Sequence, residues 1–109
     1  MTEKYIDDDL SEFALQLGKL RDTTPINDPE YETIKTQHRA ASDLAIKAVE
    51  KAIDDADKDY IEFSKAISEA IQTLKDAQAK IQKVIKAIEI AARVISIAGK
   101  IVVKAIKPV

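Results

Sequence analysis

The chain has 109 residues, a third of them charged, a formal net charge of −2 and no cysteine. That length allows one domain at most. The missing cysteines exclude disulfides, thiolate chemistry and zinc–thiolate sites, and the mix of charged and apolar residues is that of a folded chain rather than a disordered one. Residues 1–9 are acidic and lack the apolar stretch of a secretory signal. No run reaches the roughly 18 uncharged apolar residues of a membrane-spanning helix, so the expected location is the cytoplasm. The small net charge conceals an asymmetry. Residues 1–82 carry 18 acidic and 11 basic side chains, whereas residues 83–109 carry six basic and one acidic.

In chain order, the first predicted element is a short helix over about residues 4–21. Ile6, Leu10, Phe13, Leu17 and Leu20 recur at alternating steps of four and three, which places them on one helical face. Asp7, Asp8 and Asp9 lie in its opening turns and Lys19 and Arg21 in its last, as the helix dipole favours. Residues 22–28 form a loop that contains Pro25 and is followed by Pro29, and the two prolines remove backbone donors and disfavour helix in the residues before them. Asp28 followed by Pro29, Glu30 and Glu32 reads as a helix start.

Residues 29–107 are predicted helical, and no glycine or proline occurs from residue 30 to residue 98. A first stripe runs through Tyr31, Ile34, His38, Ala41, Ala45, Ala48 and Ala52. A second runs through Tyr60, Phe63, Ile67, Ala70, Leu74, Ala77, Ile81, Val84, Ile88, Ala91, Ile95, Ala98, Val102 and Ala105, a pattern of coiled-coil quality. One unbroken helix would measure roughly 120 Å at 1.5 Å per residue and could not bury its own stripe. A break is expected near residues 54–59, where four aspartates in six positions are poor helix formers and good caps. A further break near residues 76–80 would make four helices. The predicted fold is therefore all-α, a single domain over residues 1–109. Its long amphipathic helices form an antiparallel three- to four-helix bundle or a coiled coil, completed by oligomerisation and containing no strand.

Residues 83–107 differ from the rest. Beside the main row run a second (Ala87, Ile90, Val94, Ile97, Ile101) and a third (Ile85, Ala92, Val103, Ile106), and the charged side chains share one narrow stripe. Such a helix is either the centre of a bundle or a surface that seeks a partner helix or an anionic membrane. The candidate interface comprises Ile88, Ile95, Ile97, Ile101, Val102, Val103 and Ile106. Ile95, ringed by Ala91, Ala92, Ala98 and Gly99, is expected among the most buried residues.

Chemistry-bearing motifs are missing. His38 is the one histidine and lies on an apolar row without a nucleophile or carboxylate at suitable spacing. Asp55, Asp57 and Asp59 alternate as in a calcium loop, but Tyr60 stands where that loop needs glycine and Ala66 where it needs glutamate. Phosphate and dinucleotide loops lack their glycines, and a basic stripe on an apolar helix is a poor fit for nucleic acid. The sequence therefore leads us to expect no enzyme activity, cofactor, metal or small-molecule substrate. It points to a helical interaction protein that self-associates or binds a protein partner, or alternatively to a membrane-associated protein acting through residues 83–107.

Overall fold

The computed structural model describes residues 3–105. It contains four α-helices: α1 (Asp7–Thr23), α2 (Tyr31–Lys47), α3 (Lys58–Ala79) and α4 (Val84–Lys104), the last preceded by a 3-10 turn at Ile81–Lys83. The all-α character follows the periodicity. The expectation of no strand needs correction, because β1 (Glu3–Lys4) and β2 (Ile53–Asp54) pair antiparallel, Glu3 opposite Asp54 and Lys4 opposite Ile53. Two-residue strands are too short to show an alternating pattern.

The β1–β2 pairing also sets where α1 begins. With Glu3 and Lys4 held extended, the helix starts at Asp7 instead of residue 4. Leu10, Phe13, Leu17 and Leu20 form its buried face as the spacing predicts. Its end lies at Thr23, where the hydroxyls of Thr23 and Thr24 donate to the Leu20 carbonyl and Pro25 follows. Asp28 accepts from the Glu30 amide at 2.8 Å and its carbonyl from the Tyr31 amide. A turn therefore occupies residues 28–30, and α2 begins at Tyr31, two residues beyond the predicted start at Pro29.

The long helical region is broken twice. The first break, residues 48–57, begins ahead of the aspartates. Glu50 adopts a left-handed φ of 62° with no glycine to ease it. Asp54 accepts from the Ala56 amide and Asp57 caps α3 by accepting from the Asp59 amide. The second break is a single extended residue, Lys80, at φ −134° and ψ 107°. It carries the Tyr60-to-Ala105 row around a corner. Ala77 and Val84 stay buried, and Ile81 between them is 68% exposed.

α1 packs against α2 and α3, and α4 packs against α3 and α2. Within each hairpin, α1–α2 and α3–α4, the helices are antiparallel. Gln78 near the end of α3 reaches Gln16 on α1, and Gln37 early in α2 reaches Ile88 early in α4. α1 and α3 therefore form one parallel layer and α2 and α4 the other, while residues 48–57 connect diagonally opposed helices. A single core unites them. Phe13, Leu17, Phe63 and Leu74 fill it against Ala41, Ala70, Ala91 and Ala98, all fully buried. Large side chains facing small ones interdigitate at native density.

Candidate interaction surface

α4 has a buried side and an open side. Ala87, Ala91, Val94, Ala98 and Ile101 line the core and lie within about 80° of one another at 100° per residue. On the opposite side, Ile85, Ala92 and Val103 share a line within about 20°. All three are exposed, Ile85 by 53% and Val103 by 87%. Between this ridge and the core, toward α2, sit the half-buried Ile88 and Ile95. Gly99 opens the same flank, since a Cβ built there meets nothing within 4 Å.

The sequence-predicted interface residues separate accordingly. Ile97, Ile101 and Val102 belong to the core and are closed to a partner. Ile88 and Ile95 are half-buried, Val103 is on the ridge, and Ile106 lies outside the described residues. Ile95 is not among the most buried residues, contrary to the sequence expectation. The centre of the buried face falls between the main row and the second row, on Val94 and Ala98, and this rotates Ile95 to the margin. The third row, Ile85, Ala92 and Val103, was legible in the sequence as an apolar line, but Ile85 was not singled out. Its exposure depends on where α2 and α3 dock.

α4 is held on both flanks. Toward α3, Arg93 lies 3.5 Å from Glu62, and the Lys104 ammonium donates to Asp57 and Asp59 at 2.7 Å each. The hydrogen bond from Lys104 holds the Asp57 carboxyl below its usual range, and Asp57 in turn raises the Lys104 ammonium. The aspartate cluster therefore acts as a helix cap and an ammonium seat. Among the described residues, no three His, Cys, Asp or Glu side chains converge on a metal position. Toward α2, the buried Gln37 amide donates to the Ile88 carbonyl at 2.9 Å. Its Oε1 is buried without a partner among the described residues.

His38 sits between α1 and α2. Arg21 Nη1 lies 3.2 Å from His38 Nδ1. A guanidinium only donates, so Nδ1 accepts and the proton resides on Nε2. Burial, then the nearby Arg21 charge, lowers the His38 pKa, against a smaller opposing effect of Asp22. The ring lies over Gly18, where a Cβ would come within 3.1 Å of Nε2. This arrangement joins two helices, and the hydrogen bond given to the imidazole among the described residues comes from Arg21 rather than from a hydroxyl. A cavity of about 260 Å³ opens where α1 and α3 end, beside Leu20, Thr23, Thr24, Asp28 and Gln78. Its polar groups are engaged with neighbouring backbone or with Gln16.

No helix among the described residues is long and apolar enough to cross a membrane. No known family, curated protein or solved structure matches the chain.

Proposed function

We propose that the chain is a non-enzymatic interaction protein, a four-helix bundle that binds by packing the open side of α4 against another protein surface and self-associates through it. The observation that carries this reading is the apolar ridge. The exposed Ile85, Ala92 and Val103 share one line of α4, and the half-buried Ile88 and Ile95 lie beside it; an apolar strip of this kind suits a contact surface. Sedimentation equilibrium at tens of micromolar tests it. The expected mass exceeds the 12.1 kDa of one chain, and Ile85→Glu with Val103→Glu returns it to that value. A clean monomer for the unaltered chain would refute self-association.

A second reading takes an anionic membrane surface as the partner of the same ridge. The exposed Lys86, Arg93 and Lys100 beside it favour this reading, because basic side chains bordering an apolar strip suit anionic headgroups. Vesicle flotation that depends on phosphatidylserine and is lost in Val103→Glu would support it.

A further inference from the structure

One edge of the apolar strip on α4 carries two opposite charges that the fold leaves without partners. At 100° per residue, Glu89 and Lys100 lie within about 20° of each other and about 50° round from the line of Ile85, Ala92 and Val103, on the side toward α3. Both are exposed, and neither enters an ion pair among the described residues. Arg93 and Lys104 turn instead to Glu62, Asp57 and Asp59 on the α3 flank. Glu89 and Lys100 are eleven positions apart, about 16 Å along the helix, too far to pair with each other. The other edge of the strip, toward α2, is uncharged on α4 and holds the half-buried Ile88, Ile95 and Gly99.

Resting on the self-association reading above, we infer that two copies pair α4 against α4, antiparallel about a two-fold axis, with Glu89 of each copy against Lys100 of the other. A negative and a positive charge on one edge of a helix are self-complementary when that helix meets its own copy running the opposite way. Placing Ala92 beside Gly99 of the second copy sets Ile88 beside Val103 and brings the two Ile95 side chains together at the axis. Glu89 and Lys100 of opposite copies are then two residues, about 3 Å, apart along the helix and on the same side of the pair. A Cβ built at Gly99 meets nothing within 4 Å, so the second helix has room to approach there, and Ala92 opposite it adds only a methyl group. A parallel pairing turns the Glu89–Lys100 edge toward Ile88 and Ile95 of the other α4, where no counter-charge stands on that helix. The antiparallel contact uses the same patch twice and closes at two copies.

Charge reversal and cross-linking test the pairing. Sedimentation of the unaltered chain should give twice 12.1 kDa with no growth beyond it. At an ionic strength of about 0.01 M, where screening is weak, Glu89→Lys and Lys100→Glu should each weaken dimerisation about tenfold, because each sets two like-charge contacts across the axis. The double variant, Glu89→Lys with Lys100→Glu, restores opposite charges and should dimerise as the unaltered chain does. Circular dichroism verifies that all three exposed-site variants remain folded. Carbodiimide condenses a carboxylate with an ammonium in contact. In a mixture of isotope-labelled and unlabelled chains it should join Glu89 to Lys100 between copies, read by mass spectrometry. If the double variant dimerises no better than the single ones, or Glu89 forms no cross-link to Lys100 of the other copy, or the chain grows past a dimer, the antiparallel pairing is overturned and self-association stands. If the unaltered chain stays monomeric throughout, both fall, and flotation with phosphatidylserine vesicles then identifies a lipid surface as the occupant.

Discussion

Gln37 donates its side-chain amide to the main-chain carbonyl of Ile88, a 2.9 Å hydrogen bond that joins α2 to α4 across 51 positions of sequence. The same side chain leaves its Oε1 buried and unpartnered among the described residues. A buried acceptor without a partner costs about 1–3 kcal/mol, and one neutral hydrogen bond contributes about 0.5–1.5 kcal/mol. Gln37→Met, which keeps the length and removes both polar atoms, should therefore raise stability by about 1 kcal/mol. Gln37→Glu should lower it by burying a charge. Urea denaturation of the two variants checks the pair, and a loss in Gln37→Met would mean that the bond to Ile88 outweighs the orphaned oxygen.

The burial of His38, reinforced by the nearby Arg21 charge, makes stability depend on pH near neutrality. The folded-state pKa of His38 lies below its ordinary value, so the stabilisation is complete above the unfolded pKa of about 6.5 and is lost as the pH falls below it. In that window the unfolded chain binds a proton that the folded chain resists. Urea midpoints should fall between about pH 7.5 and pH 5.5, and His38→Gln should flatten the slope over that interval. An unchanged slope in the variant would place the dependence elsewhere.

Two glycines inside helices offer a matched comparison. Replacing a helix-interior glycine by alanine gains up to about 1 kcal/mol from propensity. Gly99→Ala should realise that gain, because its new methyl meets nothing within 4 Å. Gly18→Ala should gain less or lose stability, because its methyl would come within 3.1 Å of His38 Nε2 and the ring is tied to Arg21. Thermal melts at low protein concentration give the ranking.

Core truncation on α4 should follow observed burial rather than the main apolar row. Ile101→Ala empties a fully enclosed site and should cost about 2–5 kcal/mol. Ile95→Ala at the margin should cost less than half of that, and Ile95→Lys should be tolerated better than Ile101→Lys, since a lysine at the edge can extend its ammonium into water. Equal losses at the two positions would show that Ile95 is as enclosed as Ile101.

The hydrophobic rows made the helices legible. The Leu10–Phe13–Leu17–Leu20 face and the Phe63-to-Ala77 row are both buried as the spacing implied. The break at the aspartates was legible too, because Asp54 and Asp57 have the chemistry of turns and caps. The break at Lys80 is marked by no residue type. Ala79, Lys80 and Ile81 would continue a helix by propensity alone, and the packing of α3 on α4 overrides that preference. The candidate interface was only partly legible for a related reason. Three apolar rows on one helix do not reveal which two face the core, so the sequence does not separate Val103 from Ile97, Ile101 and Val102, which point inward. That choice is made by α2 and α3, whose docking turns Val94 inward and Val103 outward.

The diagonal connection at residues 48–57 also shapes how the chain reaches its native state. Each hairpin joins helices adjacent in sequence, α1 to α2 through seven residues and α3 to α4 through four, and such local contacts form quickly. Contacts of long sequence separation, including the Glu3–Asp54 strand pair, the Gln16–Gln78 bond and the Gln37–Ile88 bond, lie where one hairpin meets the other. Folding divides naturally into two fast local closures and one slower docking. The same seam is where the molecule should part first when it opens below its global unfolding limit, exposing backbone amides to exchange one hairpin at a time.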